Sequence, residues 1–193
     1  MKNVIGGLRA VGILSASLLG LGLTSAVFAC PSPEALKRGA LDRSFTQEKT
    51  ISGVDRPLRS TGRLEARNDE VVWHMLTPFD VKTTIAPDGI TQSIDGGPAN
   101  KVAAGSNELS SMIARTMASM MRGDWDGLKS IFAISMPVQA GEGDWSVVLK
   151  PLDDQLGQLL GTITVRGCEE VSTVDIARPD GDREHIQFEA AAP

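Results

Sequence analysis

Residues Glu65–Asp80 read EARNDEVVWHMLTPFD, and the alternation inside this stretch decides the fold. As an extended strand it places Val71, Trp73 and Met75 on one side and Val72, His74 and Leu76 on the other. An antiparallel sheet that faces water usually keeps one polar face. Here both faces are largely apolar, which raises the question of what the second one touches.

Working outward, the same period of two recurs on either side. FTQEKTIS (45–52), LRSTGRLEA (58–66), VKTTIA (81–86) and ITQSID (90–95) are strands, separated by the turn-rich GVDRP, RND, PFD and PDG. Connections this short join antiparallel neighbours, so the segment is a meander. Upstream, Ser32 as N-cap, Pro33 at the first helical position and Leu36, Ala40, Leu41 and Phe45 at helical spacing predict a helix from Pro33 to about Arg43.

Downstream, GGPANKVAAGSN is a loop, and ELSSMIARTMASMMRGD (108–124) is a helix capped by Asn107. Met112, Ile113, Thr116, Met117, Met120 and Met121 form one stripe, with Ser111, Arg115, Ser119 and Arg122 opposite. Four of the chain's seven methionines fall in that stripe. It is either ordinary core or a surface that repacks around variable apolar partners, for which flexible, polarizable Met is suited. A short helical piece, DWDGLKSI (124–131), follows. Strands resume with IFAISMPV, DWSVVLKP, LLGTITVRG, EVSTVDIARP and DREHIQFEA, the last two joined by a PDGD turn.

About ten strands in one up-and-down sheet curl, because wide flat sheets are strained and expose their edges. Helices that interrupt the meander bury their stripe on the concave side. The fold class is therefore mainly β with helices (α+β): a curled antiparallel sheet with a helical cover.

The first residues stand apart from this domain. Lys2 and Arg9 precede an apolar run from Ala10 to Leu23, shorter than the roughly 20 residues of a membrane-spanning helix. TSAVFAC then supplies small residues at Val27 and Ala29 for cleavage before Cys30. Residues 1–29 are read as a secretory signal peptide and 30–193 as the mature domain, exported across the inner membrane. Removing Lys2 and Arg9 from the chain's 19 basic residues leaves 17 against 24 acidic ones, a net charge of −7. With no basic run or basic helix face, nucleic acid is excluded as a partner.

Cys30 and Cys168 are the only cysteines. In an exported protein an even pair favours a disulfide. The competing reading takes VFAC as a lipobox with Cys30 acylated, but the bulky Phe28 fits it poorly and Cys168 would be left without a partner. Catalytic patterns are scarce. His74 and His185 stand in no metal-binding or triad motif, and DWDG lacks the later acidic ligand of a calcium loop. Neither a catalytic residue, a metal site nor a cofactor is expected.

The order FTQ at Phe45–Gln47, G-x-L at Gly62–Leu64, Arg67, WHM at Trp73–Met75, Pro78 and DG at Asp88–Gly89 resembles the periplasmic outer-membrane lipoprotein carrier family, LolA. DWSVVLKP and DGDREHIQF resemble that family's later strand and closing hairpin. The likeness implies an incomplete β-barrel closed by a helical lid, with Arg67 holding the lid through hydrogen bonds. It also implies an apolar cavity for acyl chains, lined by Trp73, Met75, Met112, Ile113, Met117, Met120 and Met121. The implied protein is a monomeric, non-enzymatic periplasmic carrier. It receives acylated lipoprotein or lipid cargo from an inner-membrane lipoprotein-releasing transporter and delivers it to an outer-membrane acceptor. Asn68, where the family has proline, and ITQSID, where it places aromatics, mark a divergent member and leave the cargo open to a glycolipid or another lipid. Two further readings are a lipid-anchored acceptor of the same fold, tethered through Cys30, and a secreted hydrolase using His74 or His185.

Overall fold

The computed structural model describes residues 30–36, 41–67, 70–86, 88–102, 107–136 and 144–190. The signal-peptide reading of residues 1–29 lies outside them. Eleven strands form one antiparallel sheet. The first meander comprises β1 (Leu41–Thr50), β2 (Leu58–Arg67), β3 (Glu70–Thr77), β4 (Val81–Ala86), β5 (Gly89–Ile94) and β6 (Asn100–Lys101). The second comprises β7 (Phe132–Ser135), β8 (Trp145–Pro151), β9 (Thr162–Gly167), β10 (Val171–Ala177) and β11 (Arg183–Phe188). The spatial order is β6-β5-β4-β3-β2-β1-β11-β10-β9-β8-β7. Pairing of β1 with β11 fuses the two meanders, Phe45 opposite Phe188 and Gln47 opposite Ile186.

The sheet does not close: β6 and β7 are its two edges. Helix α1 (Asn107–Arg122) is the connection between those edge strands, so it crosses the open side and lies over β3, β4 and β5. The fold is thus the expected incomplete antiparallel barrel with a helix across its opening. Side chains alternate as the pleat requires. Gly62, Leu64 and Ala66 of β2 are buried, while Arg63 and Arg67 are exposed. The concave face carries the core, including Phe45, Leu64, Val71, Val147, Val165 and Phe188.

Four elements differ from the sequence reading. The helix expected from Pro33 to about Arg43 is a single 3-10 turn, Pro33–Ala35, and Leu41 already opens β1; the stretch 37–40 lies outside the described residues. Leu41, Arg43 and Phe45 are all buried on one face of β1. The alternation was hidden because one of the three inward positions is an arginine. That arginine is satisfied. Arg43 Nε donates to the Glu189 carbonyl at 2.6 Å, and Nη1 lies 3.0 Å from Glu170 Oε2. Secondly, β6 forms inside the segment taken as loop. Thirdly, α2 (Asp154–Leu160) precedes β9, capped by the Asp153 side chain, which accepts from the Leu156 N–H at 2.9 Å. DWDGLKSI forms only a 3-10 turn, Asp126–Leu128.

Cross-links gather at one end of the sheet. Cys30 and Cys168 are bonded, Sγ–Sγ 2.00 Å, which ties the N-terminal segment to the β9–β10 turn. Trp145 Nε1 donates to the Cys168 carbonyl at 2.6 Å and Trp125 Nε1 to the Pro33 carbonyl at 2.8 Å. The two indoles meet edge to face, centroids 6.1 Å apart.

Candidate functional site

Between α1 and the concave face lies a cavity of about 170 Å³. From α1 come Thr116, Met117, Met120 and Met121. Their spacing of three and four residues puts them on one helical face. The first meander contributes Leu64 and Trp73, and α2 contributes Leu160. The second meander contributes Ile163, Val174, Ile176, Ile186 and Phe188. These side chains offer carbon and sulfur. Besides the indole N–H of Trp73, the polar group among them is the Thr116 hydroxyl, which is buried and has no hydrogen-bond partner among the described residues.

Trp73 owes its position to the strand two places away. Its ring lies 4.0 Å from that of Phe45, centroid to centroid. Phe45 in turn crosses over Gly62, where an added Cβ would stand 2.5 Å from the Phe45 ring and 2.3 Å from the His74 carbonyl oxygen. Gly62 is therefore required by close approach rather than by backbone conformation.

The structure brings Trp73, Met117, Met120 and Met121 together at the cavity. It does not bring the whole expected set. Met75 is half-buried two residues further along β3 and stands outside the lining. Met112 is half-buried one helical turn before Thr116 and is likewise outside it. The side chain of Ile113 lies outside the described residues.

Arg67 is a correction. It shares the parity of Arg63 and Glu65, opposite to Leu64 and Ala66, so its side chain leaves the outer face of β2. It is 68% exposed there, with its Nη2 4.0 Å from Glu65 Oε2. Alternation places it on the side of the sheet away from α1. The arginine that does enter the concave face is Arg43, and it ties β1 to Glu170, to the first residue of β10, Val171, and to Glu189 just after β11. A buried arginine among apolar alternation was the available signal.

Parity assigns the two apolar faces of β3. Val71 and Trp73 look inward. Val72, His74 and Leu76 look outward, Leu76 being 49% exposed. His74 Nε2 and Asp80 Oδ1 are 2.7 Å apart, and His185 Nδ1 and Asp175 Oδ1 are also 2.7 Å apart. Both pairs sit on the outer face, with the sheet between them and the cavity. Also on that face, Arg63 holds Asp42 by two hydrogen bonds, the longer 2.7 Å from Nη2 to Oδ2, and keeps its carboxyl below the ordinary aspartate value. Asp144 stands beside the two cysteines, but their sulfurs are bonded to each other and offer no thiolate to a metal.

Fold and site define a class: an open antiparallel half-barrel with a helix-covered cavity of apolar lining. No family model and no curated protein matches the sequence. Among solved structures, a LolA superfamily protein from Nitrosomonas europaea aligns over 83% of this chain and 91% of its own, with TM-score 0.42 and 4% identity. A domain described as a candidate outer membrane lipoprotein-sorting protein from Vibrio parahaemolyticus aligns over 82% of this chain and 87% of its own, with TM-score 0.39 and 10% identity.

Proposed function

We propose that the protein is a non-enzymatic periplasmic carrier that shelters acyl chains of lipoproteins or related lipids beneath α1 and passes them toward the outer membrane. The observation that supports this reading is the cavity: a partly open space facing carbon and sulfur, with the titratable histidine–carboxylate pairs on the opposite side of the sheet. Hydrocarbon needs no hydrogen-bond partner, and each buried methylene contributes about 0.8 kcal/mol.

Size decides how the cargo is held. An apolar cavity of roughly 150 Å³ accommodates benzene, so 170 Å³ takes only a fragment of a long acyl chain. A whole chain requires α1 to move outward. Because α1 bridges the two sheet edges and takes no part in the strand ladder, that movement breaks no inter-strand hydrogen bond. Met117, Met120 and Met121 then repack against whatever enters. The donor would be an inner-membrane lipoprotein-releasing transporter and the recipient an outer-membrane acceptor. The alternative of an anchored acceptor needs the Cys30 thiol, which is bonded to Cys168 in this structure.

The test is titration with an environment-sensitive fluorescent acyl probe. Wild type binds it. Met117→Glu places an unpaired carboxylate in the lining, so binding falls by an order of magnitude or more while circular dichroism stays native. A wild type that binds no probe, with a Met117→Glu variant that unfolds, would show the methionine stripe to be plain core.

A further inference from the structure

One inward position beyond the cavity, the concave face changes character. Ile186 and Ile176 line the apolar space. The next inward residue of β11 is Glu184, in register with Lys49 on β1 and with Ile176 on β10. Arg178 Nη1 donates to Glu184 Oε1 at 2.9 Å, and Lys49 Nζ lies 3.6 Å from the same oxygen. Gln47 Nε2 donates to the other carboxylate oxygen at 3.2 Å, and Ser60 donates to Gln47 Oε1 at 3.2 Å. Arg178 Nε also donates to the Leu159 carbonyl at 3.1 Å. Leu159 precedes the lining residue Leu160, so this bond fixes the guanidinium at that end of the cavity.

The charges do not balance. Two cations share one carboxylate. Among the described residues no other acid lies within ion-pair distance of Lys49 or Arg178. Glu184 and Arg178 are set into the protein, 11% and 22% exposed, while Lys49 at 36% stands at the rim, so water screens the Arg178–Glu184 pair less than an exposed one. Arg178 has used two of its five N–H donors. The remaining donors of the guanidinium have no protein acceptor among the described residues, and the Lys49 ammonium has only the 3.6 Å ion pair to Glu184 there.

We propose that Lys49, Arg178 and Gln47 form a head-group subsite. The cavity takes the hydrocarbon, and the cluster takes an anionic oxygen head, a carboxylate or a phosphate, in place of water. The assignment rests on the carrier reading and narrows its cargo to acyl chains with an anionic head. The diacylglyceryl end of a lipoprotein carries neutral esters, which accept hydrogen bonds but leave the surplus positive charge unmatched. Arginine's planar fork matches carboxylate and phosphate alike.

The test uses the mature protein loaded with a neutral fluorescent acyl probe. Dodecanoate, dodecyl phosphate and methyl dodecanoate compete for it. The anionic ligands compete about tenfold better than the ester, the scale of one charge-assisted hydrogen bond. That preference collapses in Lys49→Gln and in Arg178→Gln and survives in Arg59→Gln, an ion-paired residue of the outer face. The two anions compared with each other identify the head. Lys49→Gln alone carries the test if Arg178→Gln loses its native circular dichroism. Equal competition by ester and anions in wild type, or a preference that survives in Lys49→Gln, overturns the subsite and leaves the carrier reading standing. Failure of the neutral probe to bind overturns the carrier reading and the subsite with it.

Discussion

Phe45 and Trp73 lie on strands that do not pair with each other, β1 and β3, yet their ring centroids are 4.0 Å apart at an interplanar angle of 31°. The strand between them, β2, permits this through Gly62. The pair positions the indole that lines the cavity. Gly62→Ala would drive a methyl to 2.3 Å from the His74 carbonyl oxygen and 2.5 Å from the Phe45 ring. We expect a loss of about 1–3 kcal/mol in denaturant unfolding, with a shift in Trp73 emission. An unchanged unfolding midpoint would show that the two rings do not hold this geometry in solution.

The two arginines of opposite parity separate cleanly. Arg67→Leu removes an exposed side chain whose only ion-pair contact among the described residues is Glu65 at 4.0 Å. Stability should change by no more than about 0.5 kcal/mol, and acyl-probe affinity should hold. Arg43→Leu removes the 3.0 Å ion pair to Glu170 and the hydrogen bonds to the Glu189 and Val171 carbonyls, at a cost of roughly 3–5 kcal/mol. Urea denaturation of both variants checks this. A strong loss of probe binding in Arg67→Leu would restore its role as the residue that holds the helix.

Thr116 offers a gain rather than a loss. Its hydroxyl is buried against the cavity without a partner among the described residues. Thr116→Val keeps the shape and removes the unsatisfied group, so the variant should be more stable by about 1 kcal/mol and should bind the acyl probe at least as tightly. Destabilisation by more than that would mean the hydroxyl is bonded.

The Cys30–Cys168 bond fixes the segment whose Pro33 carbonyl receives the Trp125 indole, just past the end of α1. Intact mass of the non-reduced protein should fall two hydrogens short of the reduced value. Replacing both cysteines with serine should cost about 2–5 kcal/mol. A diacylglycerol adduct on Cys30, with Cys168 as a free thiol, would instead indicate the membrane-anchored acceptor.

Much of this fold was legible because most of its strands carry a period of two and are joined by tight turns. The stripe of α1 was legible from its period. What the sequence concealed has physical causes. Arg43 occupies an inward position of β1, so Leu41, Arg43 and Phe45 did not show a period of two. The helix DQLGQLL is only 7 residues long, too short for a period to emerge, and carries Gly157 at its centre. Trp73 and the α1 methionines could be placed on one surface from alternation and helical spacing. Their partners Ile163, Val174, Ile176 and Ile186 come from strands of the second meander, joined to the first within the sheet by the β1–β11 pairing, which no local pattern specifies. Arg67 was assigned by resemblance against its own parity, and parity decided.

The central claim is that hydrocarbon enters beneath α1, and photocrosslinking tests it most directly. An acyl chain carrying a diazirine at its terminal carbon would be bound to the mature protein, irradiated, and its adducts mapped by peptide mass spectrometry. The account predicts adducts on Met117, Met121, Trp73 and Ile176, competed away by unlabelled chain. Adducts confined to outer-face residues such as Leu76, or labelling that unlabelled chain does not displace, would contradict it.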